Sequence, residues 1–312
     1  MWQQAMIWLA CRDSLRYRME SSRRLAALAK RFVAGGDPAA AKATADSFAA
    51  VRMGTSIYYL GEYVNSPELV EDNVKGILSA IDCFGPTNLD WFISVDPTQI
   101  GCSISDDLGW ANAQRIAEVV KALPNAQAHP MMIDMEDASV VSETISLYEK
   151  LRAQNVPAAI TLQAYLFRTR EDFQRLASQG ATIRLVKGAF VANSRIAYTR
   201  KQDIDDAYLS LCLLALSPEM KAAGHRPIFA THDDRLINLL LPVATSNGWA
   251  PGDYEIEMLL GVREDYQREL AAAGHTVRVY VPFGTAWWPY SIRRVGENPA
   301  NVRFVMRAIL SR

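Results

Sequence analysis

The run "TIRLVKG", residues 182–188, sets the reading of the whole chain. It carries β-branched and aliphatic residues and ends on a lysine and a glycine. An apolar run this short, closed by charge and glycine, reads as a strand buried on both faces. Seven further runs share the form: "SIYYL" at 56–60, "WFISV" at 91–95, "PMMID" at 130–134, "AITLQAY" at 159–165, "PIFAT" at 227–231, "YEIEML" at 254–259 and "TVRVYVPFG" at 276–284. Amphipathic stretches lie between them, such as residues 106–123 and 141–155. Eight strands, each followed by a helix, predict an α/β chain closed into a parallel (β/α)8 barrel rather than an open doubly wound sheet. No G-x-G-x-x-G or P-loop follows any of the runs, which counts against the common nucleotide-binding sheets.

Length and composition agree with that fold. The chain has 312 residues, half of them hydrophobic, enough for one barrel of about 250 residues and an extension. Residues 1–50 read as an N-terminal helical extension and residues 51–312 as the barrel. Leu25, Leu28, Ala29 and Phe32 mark one helical stripe, and "AGGDP" at 34–38 turns the chain into an alanine-rich second helix. A net charge of −1 provides no field for nucleic acid or an anionic membrane. Cys11, Cys83, Cys102 and Cys212 lack metal-site spacing and are too sparse for a disulfide framework. The four histidines show no ligand spacing, so no metal is expected. The opening "MWQQAMIWLACR" has no basic region before its short apolar run, so neither a signal peptide nor a transmembrane segment is expected. The expected location is the cytoplasm, with peripheral contact at the inner face of a membrane left open.

Active sites of such barrels form where the strands end. There the sequence collects Asp96, Asp134 with Glu136, Arg184 with Lys187, His232 with Asp233, and Glu257. Each has two readings. Asp134 and Glu136 share one side of an extended segment, as an acid–base pair would, or they cap the next helix. Lys187 with Gly188 and Ala189 suits close approach of a phosphate or an anionic flavin, or simply ends a strand. His232 is a base or a structural cap. Farther on, "PYSIRRVGENP" at 289–299 places Tyr290, Arg293, Arg294 and Glu297 on one side of a short helix. That face is either an arginine clamp for an anion or a surface ion pair worth roughly 0.3–0.5 kcal/mol.

Seven segments taken in order narrow these choices: "DMED" at 134–137, "TLQAYLFRT" at 161–169, "RLVKGAF" at 184–190, "FATHDD" at 229–234, "YEIEMLLGV" at 254–262, "RVYVPFG" at 278–284 and "YSIRRVGEN" at 290–298. The ordered set resembles the proline dehydrogenase family over roughly residues 55–305. The resemblance implies a distorted (β/α)8 barrel that binds FAD and oxidises L-proline to Δ1-pyrroline-5-carboxylate, with a quinone-type electron acceptor and no aldehyde dehydrogenase domain. It implies catalytic roles for Asp134 and Arg184. Met135, Gln163, Arg184, Lys187, Gly188, Ala189, Thr231 and His232 match cofactor-binding positions. Arg293 and Arg294 match the pair that holds the substrate carboxylate, with Glu297 steadying them and Tyr280 and Tyr290 walling the substrate ring.

The chain also departs from the family pattern. Asp96 stands where relatives carry lysine, Glu257 where glutamine is usual, and Phe190 where tyrosine is usual. An unpaired carboxylate in a dry pocket costs several kcal/mol or stays protonated, so either the strand alignment shifts locally, a positive group elsewhere in the chain pairs with it, or the substrate brings the cation. The more acidic pocket admits an alternative substrate, a proline analogue or a basic amino acid. Outside this chemistry, a hydrolase using Asp134 and Glu136, or a flavin-binding protein without activity, are the remaining readings. The arginine pair yields a test that needs no structure. Arg293→Lys or Arg294→Lys keeps the charge but loses the planar fork, so substrate affinity should fall on the order of tenfold to a hundredfold with flavin still bound. Unchanged flavin-reduction kinetics in both variants would return the helix to the surface.

Overall fold

The computed structural model describes residues 31–61, 64, 66–288, 290 and 291. Eight parallel strands close into a barrel in sequence order: β1 (Gly54–Tyr59), β2 (Trp91–Val95), β3 (Met131–Ile133), β4 (Ala158–Gln163), β5 (Thr182–Val186), β6 (Arg226–Ala230), β7 (Glu255–Leu259) and β8 (Val277–Phe283), with β8 pairing back onto β1. Every run read as a strand overlaps one of them. Among the described residues the α-helices joining and covering the strands are α1 (Pro38–Ala49), α2 (Pro67–Phe84), α3 (Asp106–Lys121), α4 (Val141–Ala153), α5 (Thr169–Ala177), α6 (Lys201–Ala215), α7 (Pro218–Ala222), α8 (Asp234–Ser246) and α9 (Glu264–Ala272).

The helix starts follow from local chemistry. Asp37, Ser66 and Ser105 sit in extended backbone and accept from Ala40 N, Leu69 N and Leu108 N, which caps α1, α2 and α3. Pro38 and Pro67 then occupy the first helical turn, where a missing N–H costs nothing. α1 buries Ala41, Ala45 and Phe48. It packs against β8, β1 and α2, so it covers the seam where the barrel closes. The stripe read over Leu25, Leu28 and Ala29 lies outside the described residues. Phe32 is in a turn, and residues 34 and 35 bond to β8 and its exit (Ala34 N to Pro282 O and Gly284 N to Gly35 O, both 2.8 Å). Phe32 therefore packs over the strand exits with Val33, Tyr58, Leu60 and Tyr290 instead of on a helix face.

The barrel interior is layered by charge, which apolar strand runs do not announce. Phe92, Met132, Ala159 and Ile228 form a separate apolar cluster. At the end where the strands begin, the fully buried Arg278 donates from Nε to Glu255 Oε2 at 2.5 Å, from Nη1 to Thr55 O at 3.0 Å and from Nη2 to Asp90 Oδ1 at 2.8 Å. Its guanidinium carbon lies 3.5 Å from the centre of the Phe92 ring. Arg226 Nη2 supplies the second Glu255 oxygen at 2.5 Å. Removing one partner of a buried pair strands the other. Glu255→Ala should thus cost about 3–5 kcal/mol in denaturant unfolding, while replacing Glu255 and Arg278 together by apolar residues should recover most of that loss. Equal losses for the single and double variants would show that the pair is not what holds this end.

Candidate active site

At the opposite end, inward-facing positions of seven strands meet on one guanidinium. Arg184 of β5 donates from Nε to Glu257 Oε2 at 2.6 Å and from Nη2 to Glu257 Oε1 at 2.8 Å, a two-point fork onto β7. Its Nη1 donates to Asp134 Oδ1 at the exit of β3. Nη2 also meets Ser56 Oγ of β1 at 3.1 Å and Ser94 Oγ of β2 at 3.3 Å, and Thr161 Oγ1 of β4 lies 3.4 Å from Nη1. From β8, Tyr280 Oη donates to Asp134 Oδ2 at 2.9 Å, and its ring centre lies 5.2 Å from the guanidinium carbon. Register produces the convergence: Ser56 faces Tyr280 across β1 and β8, and Thr161 faces Arg184 across β4 and β5.

Burial and charge oppose each other in this cluster. Burial acts to lower the Arg184 pKa, and Glu257 and then Asp134 more than reverse that, so the guanidinium stays charged. Burial pushes Glu257 above the usual carboxylate range, with Arg184 pulling the other way. The Tyr280 phenol is raised well above its ordinary value by burial, then by Asp134 and Asp96. Glu257 therefore has the cation that its buried position demands, and β5 supplies it.

Asp96 lies at the exit of β2. Tyr58 Oη donates to Asp96 Oδ2 at 2.5 Å, and the Tyr58 and Tyr280 ring centres are 5.5 Å apart. Tyr58 was not among the residues singled out from sequence, nor were Ser56, Ser94 and Thr161. The available signal was spacing by two: Ser56 with Tyr58, Ser94 with Asp96, and Thr161 with Gln163 mark the inward faces of β1, β2 and β4. Tyr290 is buried against Tyr58 and Phe32. Arg293, Arg294 and Glu297 lie outside the described residues.

Asp134 and Glu136 hold different partners. Thr98 donates to Glu136 from N at 2.8 Å and from Oγ1 at 2.5 Å, so Glu136 fastens the β2–α3 loop. Gln163 is buried and donates from Nε2 to Glu136 O at 2.8 Å. Met135 and Thr231 are buried, His232 is partly buried and Ala189 is exposed. Lys187 Nζ lies 2.5 Å from Asp205 Oδ1 and 3.1 Å from Asp233 Oδ2. Burial acts to raise the Asp233 pKa, but hydrogen bonds from Arg235 and Lys187 hold it down at about 2. Gly188 has φ +111°, and a Cβ there would collide with the Tyr165 ring, so only glycine lets the backbone pass.

The comparisons with known proteins fall on this geometry. A family model described as proline dehydrogenase matches residues 41–307. The chain belongs to the proline dehydrogenase family. Proline dehydrogenase 1 of Bacillus subtilis strain 168 is 33% identical over 284 residues, covering 91% of each chain. The proline dehydrogenase of Deinococcus radiodurans is 31% identical over 290 residues, 91% of this chain and 90% of its own. The crystal structure of proline utilization A from Bdellovibrio bacteriovorus, inactivated by N-propargylglycine, superposes with a TM-score of 0.80 at 21% identity. It covers 100% of this chain, which spans 38% of that longer protein.

Family membership makes the chain an oxidoreductase and removes the hydrolase reading of Asp134 and Glu136. No helix among the described residues is long and apolar enough to cross a membrane. The strand exits also fit a polar cofactor. Among the described residues, the buried Tyr165 Oη and Trp288 Nε1 have no hydrogen-bond partner. Burial, helped by Asp137, pushes the Tyr165 phenol up to about 12, so it remains a donor. The spare buried donor of Tyr165, whose ring packs against the bare Gly188 backbone, suits an oxygen or nitrogen of a dinucleotide. Lys187 is free to serve such a ligand without endangering the fold, because Lys201 and Arg235 also pair with Asp205 and Asp233. Lys187→Ala should cost no more than about 1 kcal/mol in urea unfolding of the flavin-free chain. A larger loss would make it a structural residue.

Proposed function

We propose that the chain is an FAD-dependent dehydrogenase that oxidises L-proline to Δ1-pyrroline-5-carboxylate and passes the electrons to a quinone-type acceptor. The observation that supports this most directly is the family match across residues 41–307, falling on a barrel mouth where Asp134, Arg184 and Tyr280 meet. FAD, when bound, supplies the two-electron acceptor that no side chain here offers. Met135, Gln163, Arg184, Lys187, Gly188, Ala189, Thr231 and His232, on β3 to β6 and their exits, would hold it. Residues 51–312 are read as the catalytic barrel and residues 1–50 as its helical extension. The protein would work in the cytoplasm and touch the inner face of a membrane only to meet a quinone.

The protein's own groups then divide the work. Arg293 and Arg294 take the substrate carboxylate through two-point contact, which arginine makes and lysine cannot, and Glu297 steadies them. Tyr280 and Tyr290 wall the ring. Asp134, held by Thr161, Arg184 and Tyr280, presents negative charge beneath the C–N bond, where positive charge grows on nitrogen during oxidation. A carboxylate fixed by three donors need not reorganise as that charge develops.

A second reading, oxidation of a proline analogue or a basic amino acid, is favoured by Asp96. Its carboxylate is held by Tyr58, beside the Tyr280 ring. Glu257 is set apart from this argument because its carboxylate is turned inward onto Arg184 and its side chain is 2% exposed. At an effective dielectric near 20, like charges about 5 Å apart repel by roughly 3 kcal/mol. The carboxylate of Asp96 would therefore weaken a small anionic substrate and favour one with an added ammonium group.

The test is anaerobic mixing of the yellow purified protein with L-proline and with an ammonium-bearing proline analogue, following loss of flavin colour. The native protein should react slowly with L-proline and faster with the analogue, and Asp96→Lys should move the preference back to proline. Denaturation should release the flavin, and Lys187→Ala should lower flavin occupancy more than Arg293→Ala. Efficient proline oxidation, unimproved by Asp96→Lys, would sink the second reading. A flavin that no substrate bleaches would leave a binding protein only.

A further inference from the structure

Every side-chain nitrogen of Arg184 is engaged by other groups of the protein. A guanidinium carries five N–H groups, and here Glu257, Asp134, Ser56 and the hydroxyls of Ser94 and Thr161 surround all of its nitrogens at hydrogen-bond range. Nε and Nη2 each donate to a different Glu257 oxygen. That two-point fork is the geometry of a guanidinium–carboxylate ion pair. Two carboxylates against one guanidinium leave this cluster formally −1. The Asp134 side chain is 12% exposed and that of Glu257 only 2%, so the outward member of the cluster is an acid and the hidden member is what sets the total.

We infer that Glu257 is a positioning residue that fixes Asp134 through Arg184 and makes the floor of the site anionic, where Arg184 paired with Asp134 alone would leave it neutral. The inference rests on the flavin reading above. An anionic floor opposes electrons arriving at a flavin bound over it and favours positive charge developing on the nitrogen of the substrate. Because the cluster is enclosed by the barrel, water screens this effect little. Glu257 touches neither ligand in this account. It acts on the reaction by setting charge and by holding Arg184 in one orientation, with Nη1 turned to Asp134.

The experiment compares the holoenzyme with Glu257→Gln and Glu257→Asp, measuring the midpoint potential of the bound flavin by anaerobic spectroelectrochemical titration. The glutamine keeps the length of the side chain and removes the charge; the aspartate keeps the charge and shortens the reach. Glu257→Gln should shift the potential positive, and Glu257→Asp should stay near the native value even if its melting temperature falls. Equal potentials in native and glutamine proteins would overturn the inference. So would equal shifts in both variants, which a merely structural residue would produce, or a folded glutamine variant that holds no flavin. Loss of folded protein in both variants would also overturn it, by assigning Glu257 to the fold. Native protein purified without flavin would instead remove the cofactor reading on which this one stands.

Discussion

The two-point bond between Arg184 and Glu257 is the constraint on which the upper barrel depends. Neither side chain has appreciable contact with water, at 4% and 2% exposed. A buried charge at either position without the other would cost several kcal/mol. Once the pair exists, the remaining Arg184 donors must also be met, and Asp134, Ser56, Ser94 and Thr161 meet them. A single guanidinium thereby ties six strands to one point, and Tyr280 adds the seventh through Asp134. The same network that satisfies the buried charges leaves Asp134 oriented toward the mouth, so stability and site geometry are one problem with one solution.

The lower barrel solves the corresponding problem with different chemistry. Arg278 and Glu255 are both fully buried, yet they lean on Asp90 and Arg226, whose side chains are 53% and 43% exposed. The apolar cluster of Phe92, Met132, Ala159 and Ile228 lies against the lower group, with the Arg278 guanidinium over the Phe92 ring. Charge at the base is therefore shared with partly exposed side chains, while charge at the top is enclosed by the strands.

The barrel was legible because its signal is local. Eight short apolar runs, separated by amphipathic helices and closed by charge or glycine, leave few other folds, and each run overlaps one observed strand. The motif residues Asp134, Gln163, Arg184, Lys187 and Thr231 were legible as well, since they lie at or near strand exits that the same pattern locates. Arg278 was hidden inside a run that read as apolar, because one charged residue in a seven-residue β-branched strand does not disturb its periodicity.

What the sequence determined by itself was the order of strands and helices, the end of the barrel where the chemistry collects, and the family. It also posed a question that it could not answer, namely which cation accompanies Glu257. Only the tertiary structure decided that Arg184 does so, that Glu136 is spent on Thr98, that Tyr58 holds Asp96, and that Phe32 lies over the mouth. The physical reason is distance along the chain. Arg184 and Glu257 are 73 residues apart and Tyr280 and Asp134 are 146 apart. Pairings across such separations are set by barrel closure and strand register, which no local pattern of residues encodes.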